Sequence, residues 1–204
     1  MSSTTHTPAV SATSSPPARL VLNNRASYLS FGLAWLVGHG ASALAYGDDP
    51  IVGMPSAVPN LLLTVGLLGA VAVTSAVTAK AQRGAQGRQA VIGNLLAGSW
   101  LVGFGALFLI ITALSEALGE QEVHTLMWPT ASGLVVGLLY LASGAVYRDT
   151  LQYALGSWLA LASSAALFLD GASLYWALAL AGGGAYLIAA ARETRRYDAA
   201  LRGA

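Results

Sequence analysis

Six continuous apolar runs, separated by short polar breaks, organise almost the whole chain. They fall at residues 28–47, 58–79, 89–114, 127–147, 150–169 and 172–192, each near the ~20 residues a helix needs to cross about 30 Å of hydrocarbon. Barrel strands would alternate apolar and polar positions, and these runs do not alternate. The pattern predicts an all-α membrane protein of six transmembrane helices. Only Arg148 and Asp149 separate the fourth and fifth runs, and only Asp170 and Gly171 the fifth and sixth, so those neighbours form antiparallel hairpins. The longer break DDPIVGMPSAVP holds Pro50, Pro55 and Pro59. It predicts an ordered turn, with Pro59 in the first turn of the second helix, where its missing N–H costs nothing.

Charge then gives the helices a direction. All ten Lys and Arg residues fall on one side of the six runs: Arg19 and Arg25, then Lys80, Arg83 and Arg88, then Arg148, then Arg192, Arg195, Arg196 and Arg202. The other loops carry Asp48, Asp49, Glu116, Glu120, Glu122 and Asp170. Since the Lys/Arg bias of short loops sets insertion, both termini are predicted to be cytoplasmic. Residues 1–27 are rich in Ser, Thr, Pro and Ala and read as a disordered cytoplasmic tail rather than a signal peptide, because their bases lie at the end of the segment. Residues 28–193 form the transmembrane domain, and 194–204 a cytoplasmic C-terminal tail.

Composition narrows the chemistry. A chain 55% hydrophobic and 9% charged, with a net charge of +1, lacks the clustered bases of a nucleic-acid surface. Without cysteine it has no disulfide, thiol nucleophile or thiolate metal site. Too few His and carboxylate side chains lie near the spans to converge on a metal, and no cofactor is implied. No phosphate-binding glycine motif follows a strand. No Asp, Glu, Lys or Arg is predicted at membrane depth, which argues against an acid-relay pump. A serine nucleophile would find only His39 as its base, so an enzyme is not expected.

Small residues mark close helix approach. Gly133-Leu-Val-Val-Gly137 fits a packing face between helices and equally a chance pairing in a chain rich in Gly and Ala. The odd-numbered runs share a pattern: AWLVGHGASAL at 34–44, SWLVGFGALFL at 99–109 and SWLALASSAALFL at 157–169. Trp35, Trp100 and Trp158 correspond, at spacings that match one helical hairpin per repeat. The protein therefore reads as three hairpins around a small central path. His39 is the ionisable side chain inside a span, and such a residue is a functional candidate because burial there is costly. It fits either a hydrogen bond to Ser42 or Tyr46 or a place on a path. His124 reads as a solvated loop residue or an external pH sensor. Asn94 and Ser99 border Trp100. The candidate path-lining set is thus Trp35, His39, Asn94, Ser99, Trp100 and Trp158.

Six spans in three hairpins, with FGLAWL at 31–36, GSW at 98–100 and the Gly-rich AGGGAYLIAAARE at 181–193, resemble the acetate uptake transporters and the related proton-gated urea and amide channels of the AmiS/UreI family. The resemblance covers most of residues 28–193. Asn23-Asn24-Arg25-Ala26-Ser27 stands where the acetate family's signature precedes its first helix. The resemblance implies a homo-oligomer, a hexameric ring, with one solute path per protomer for acetate, succinate or urea. The expected function is a channel-like facilitator of a small polar solute, its partners being membrane lipid and that solute. The rival is a non-transporting subunit of a larger membrane complex, and a small membrane enzyme ranks last.

Overall fold

Each apolar run becomes a helix in the computed structural model, which describes residues 23–55 and 57–202. The helices are α1 (Arg25–Leu44), α2 (Ala57–Gln82), α3 (Arg88–Leu118), α4 (Gln121–Tyr147), α5 (Thr150–Ala166) and a last helix in three pieces. Those pieces are α6 (Ala172–Ala177), a π segment (Leu178–Gly183) and α7 (Gly184–Arg202). Among the described residues, four helices are long and apolar enough to cross a membrane: α2, α3, α4 and the last helix. No strand occurs among the described residues.

The ends of the helices have local causes. Asp149 caps α5, its carboxylate accepting from the backbone N–H of Leu151 and Gln152 at 3.0 and 3.1 Å, which satisfies two donors a helix start otherwise leaves open. Gly119 closes α3 with φ +66°, a left-handed conformation that glycine adopts without a Cβ penalty. The turn after α1 folds back, Val52 N–H donating to the Leu44 carbonyl at 3.0 Å. Pro59 occupies the first turn of α2 as the spacing predicts.

Several ends differ from the predicted bounds, among them the start of α4, at Gln121 instead of residue 127. The last helix runs on through residues 194–202, the segment read as a C-terminal tail, and α1 begins at Arg25, inside the segment read as disordered. The rest of that predicted tail, through Leu22, lies outside the described residues.

Packing places α1 at the centre. It lies against α2 on one side and against α6, the π segment and α7 on the other, and small residues permit both approaches. A Cβ on Gly38 would strike Leu63 of α2, while one on Gly32 would strike Tyr186 and Leu187 of α7. The closest pair is α4 with α5, across the boundary between two predicted hairpins. There, a Cβ on Gly137 would enter the backbone of Gly156 and Ala160, and one on Gly156 would enter that of Leu141. Gly133 and Gly137 are therefore a packing face within the chain. Against this core, α2 touches α1 and α3 touches α4, and both leave most of their surface uncovered.

The short links turn successive helices antiparallel, so the basic loops gather at one end and the acidic loops at the other. At the basic end Asn24, before α1, donates its backbone N–H to Glu193 of α7 at 3.1 Å. Arg196 of α7 bridges Glu193 at 3.2 Å and Asp149 at 3.0 Å. One guanidinium thus ties together the starts of α1 and α5 and the end of the last helix.

Candidate functional site

The inner face of α1 repeats rings at helical spacing: Tyr28, Phe31, Trp35 and His39 stand at i, i+3, i+7 and i+11, one above another. All four are buried. They are the backbone of an aromatic column that other helices complete. Tyr28 meets Tyr140 of α4 edge-on at 6.4 Å between ring centroids, Tyr140 meets Tyr186 of α7 at 6.0 Å, and Tyr186 meets Trp35 at 5.9 Å. Trp35 then meets His39 at 5.3 Å, His39 meets Tyr175 of α6 at 6.5 Å, and Tyr175 meets Tyr46 at 5.8 Å. Phe31 stacks on Tyr186 at 5.7 Å. These separations suit edge-to-face and offset contacts. The column runs from the basic end at Tyr28 towards the acidic end at Tyr46.

Trp35 is the pivot of the column. Its ring lies between two glycines, since a Cβ on Gly182 would overlap the indole and one on Gly133 would meet both the far edge of the indole and the Ser163 hydroxyl. Gly182 belongs to the π segment, and single widened turns of this kind recur inside α-helices at functional sites. Around Trp35 the column carries polar atoms that the fold leaves without hydrogen-bond partners, Ser163 Oγ, His39 Nδ1, Tyr186 Oη and, two turns towards the basic end, Tyr28 Oη; the Ser27, Thr74 and Ser115 hydroxyls are in the same state elsewhere. The alternative of a His39–Ser42 hydrogen bond is not the arrangement observed, because the Ser42 hydroxyl donates to the Gly38 carbonyl at 3.1 Å.

The six residues predicted to line a path separate into two groups. Trp35 and His39 touch in the interior. Trp100 is half-buried and flanks the column, 5.8 Å from Tyr140 and stacked on Phe104 at 6.2 Å. Asn94 and Ser99 are exposed on α3, and the Ser99 hydroxyl donates back to the Leu95 carbonyl at 2.9 Å. Trp158 is also exposed, at 52%, on the outward side of α5, where its indole N–H donates to the Ala181 carbonyl at 2.9 Å. The three corresponding tryptophans therefore do not face one conduit. Equal places in a repeat do not fix equal faces, because α1 is covered on two sides while α3 and α5 each keep a side open.

His124 sits within the first turns of α4, not in a loop, and its Nε2 accepts from the Trp128 indole at 2.9 Å. No group of three or more His, Cys, Asp or Glu side chains poised for a metal occurs among the described residues. The sequence reading also missed the burial of Glu193, which is only 3% exposed, and the roles of Tyr28, Tyr140 and Tyr186. For Tyr28 a signal existed in the ring-bearing spacing of α1. For Glu193, Tyr140 and Tyr186 none did, since their burial depends on which helices meet.

At the basic end, burial works against the charge of Arg196, but the hydrogen bond to Asp149 and the charges of Asp149 and Glu193 outweigh it and raise its pKa further. The guanidinium thus keeps its charge. Compared with known proteins, the chain matches no family model, no curated protein sequence and no solved structure.

Proposed function

We propose that this chain is a channel-like facilitator of a small polar solute, such as urea, an amide or an undissociated short carboxylic acid. Six helices cross a cytoplasmic membrane, with the basic end inside in keeping with the Lys/Arg bias of short loops. The route follows the aromatic column along the inner face of α1. The observation that carries this reading is the presence of unpartnered polar atoms, Tyr28 Oη, Ser163 Oγ and His39 Nδ1, in an interior of rings. An unsatisfied buried polar group costs about 1–3 kcal/mol, and a passing solute with donors and acceptors would satisfy each of them in turn. At about 1.5 Å per residue, Tyr28 to His39 spans roughly 16 Å, half the hydrocarbon thickness. Rings fill the column, so passage requires Trp35 or Tyr175 to swing aside. The likeness to the acetate and urea channel families proposed from the motifs at 31–36, 98–100 and 181–193 points the same way and would bring with it a homo-oligomeric ring.

A second reading, a non-transporting subunit of a larger complex, draws on the uncovered apolar faces of α2 and α3. Stopped-flow swelling of liposomes containing the purified chain separates the two. Flux of urea, acetamide or acetic acid above the lipid background is expected, with His39→Phe reducing it several-fold and Asn94→Ala leaving it unchanged. Absence of flux for every solute removes the facilitator and favours the subunit. Because the chain has no cysteine, single cysteines test the orientation directly. In intact cells a membrane-impermeant maleimide should label Asp48→Cys and spare Gly84→Cys, and the reverse pattern would invert the topology.

A further inference from the structure

We infer that the outward groove between α5 and the last helix seats an anionic phospholipid from the leaflet at the basic end, with its phosphate on Arg192 and Arg195 and an acyl chain along the groove. The groove consists of two hollows of about 330 and 420 Å³ that share Leu151, Ala154 and Arg192. The deeper hollow is apolar, walled by Leu155, Trp158, Leu180 and Ile188 over a floor of Ala and Gly. The shallower one opens among Thr150, Arg192, Arg195 and Arg196.

Length and charge both select a lipid. From Ala181 to Arg192 the last helix rises roughly 16 Å at about 1.5 Å per residue, which matches one leaflet's half of about 30 Å of hydrocarbon. Trp158 ends the groove at mid-depth, its ring held there by the bond to the Ala181 carbonyl. At the other end the arginines are not equivalent. Arg196 is committed to Asp149 and Glu193. Arg192 and Arg195 are exposed and make no ion pair among the described residues. Two uncommitted guanidiniums above an apolar slot of one-leaflet depth complement an anionic headgroup with its chain, since guanidinium binds phosphate in a forked geometry and basic pockets between transmembrane helices hold anionic lipids. A neutral lipid would leave both charges unanswered, and a second copy of this chain would bring its own arginines to the same mouth.

The test uses the full-length chain, delipidated in detergent and titrated with phosphatidylglycerol or phosphatidylcholine, with bound lipid counted by native mass spectrometry. Phosphatidylglycerol should be retained about thirtyfold more than phosphatidylcholine, the scale expected for two basic side chains near an anionic surface. The double variant Arg192→Gln/Arg195→Gln should abolish that preference, while Arg83→Gln/Arg88→Gln in the α2–α3 loop should keep it. Ala154→Phe, a substitution at an exposed position of the groove wall, should block retention with the helical circular dichroism unchanged. Excess inorganic phosphate should not displace the lipid. Equal retention of the two lipids, equal loss in both double variants, displacement by free phosphate, or a dimer mass in place of the lipid adduct would each overturn the proposal.

Discussion

The helices α2 and α3 and the helices α1 and α5 are built of similar residues and do opposite work. Only 6% and 11% of the most apolar stretches of α2 and α3 are buried inside the protein, against 39% and 50% for α4 and the last helix. The outer faces of these two helices are mostly apolar, as a surface facing hydrocarbon requires, with Asn94 and Ser99 of α3 as exposed exceptions. By contrast α1, at the centre, is 20 residues long but less apolar than the four spanning helices, and it carries Ser27, His39 and the two glycines of its two-sided packing, Gly32 and Gly38. A helix covered by protein is free to hold small and polar residues, because its neighbours rather than lipid surround it. In this fold the most apolar helices are the least covered by protein, and α1, with its small and polar residues, is the most covered.

The contrast can be broken at matched pairs of sites, read as thermal unfolding in detergent by far-ultraviolet circular dichroism. The largest effect is expected at Trp35→Ala, which empties the space between Gly133 and Gly182 and should cost about 3–5 kcal/mol. Trp158→Phe, at the corresponding position of the repeat, should cost about 1 kcal/mol, the worth of its one hydrogen bond. Equal losses would mean that the two tryptophans occupy equivalent sites after all.

Next comes Gly137→Leu at the α4–α5 contact, where backbone lies within reach of any Cβ. It should destabilise by about 1–3 kcal/mol or more, whereas Gly105→Leu on α3, which meets open space, should be tolerated. If Gly105→Leu proves the more damaging, α3 has a partner that covers its outer face.

Arg196→Gln should cost about 1–2 kcal/mol, between the small value of an exposed pair and the larger one of a buried pair, because its side chain is half exposed while Glu193 is not. The smallest effect belongs to Leu101→Ala on α3. Its side chain is 79% exposed, so the loss should stay below about 0.5 kcal/mol.

Much of the fold was legible because each helix announces itself locally. The apolar runs predicted helix positions to within a few residues at most ends, and Pro59 and the Asp149 link marked starts through backbone chemistry alone. The start of α4 at Gln121 escaped because Glu122 and His124 read as loop, while His124 instead accepts from Trp128 one turn on. The candidate site was half legible. His39 and Trp35 stand out as an ionisable and a large aromatic residue in a span, and both lie in the column. Asn94 and Ser99 stand out for the same polar reason yet face outwards, since polarity marks a residue without marking its side of the helix. The π segment gave no sign beyond three adjacent glycines.

By itself the sequence determined six helices, their alternating direction and the gathering of charge at one end, because hydrophobic length, turn residues and loop bases act on the chain locally. Only the tertiary structure decided that α1 is central, that Trp35 is enclosed while Trp158 is exposed, and that Glu193 is buried against Arg196. Those outcomes depend on which helix covers which face. In a chain where nearly every face is apolar, hydrophobicity does not distinguish one cover from another, and the close fit of glycine against ring and backbone does.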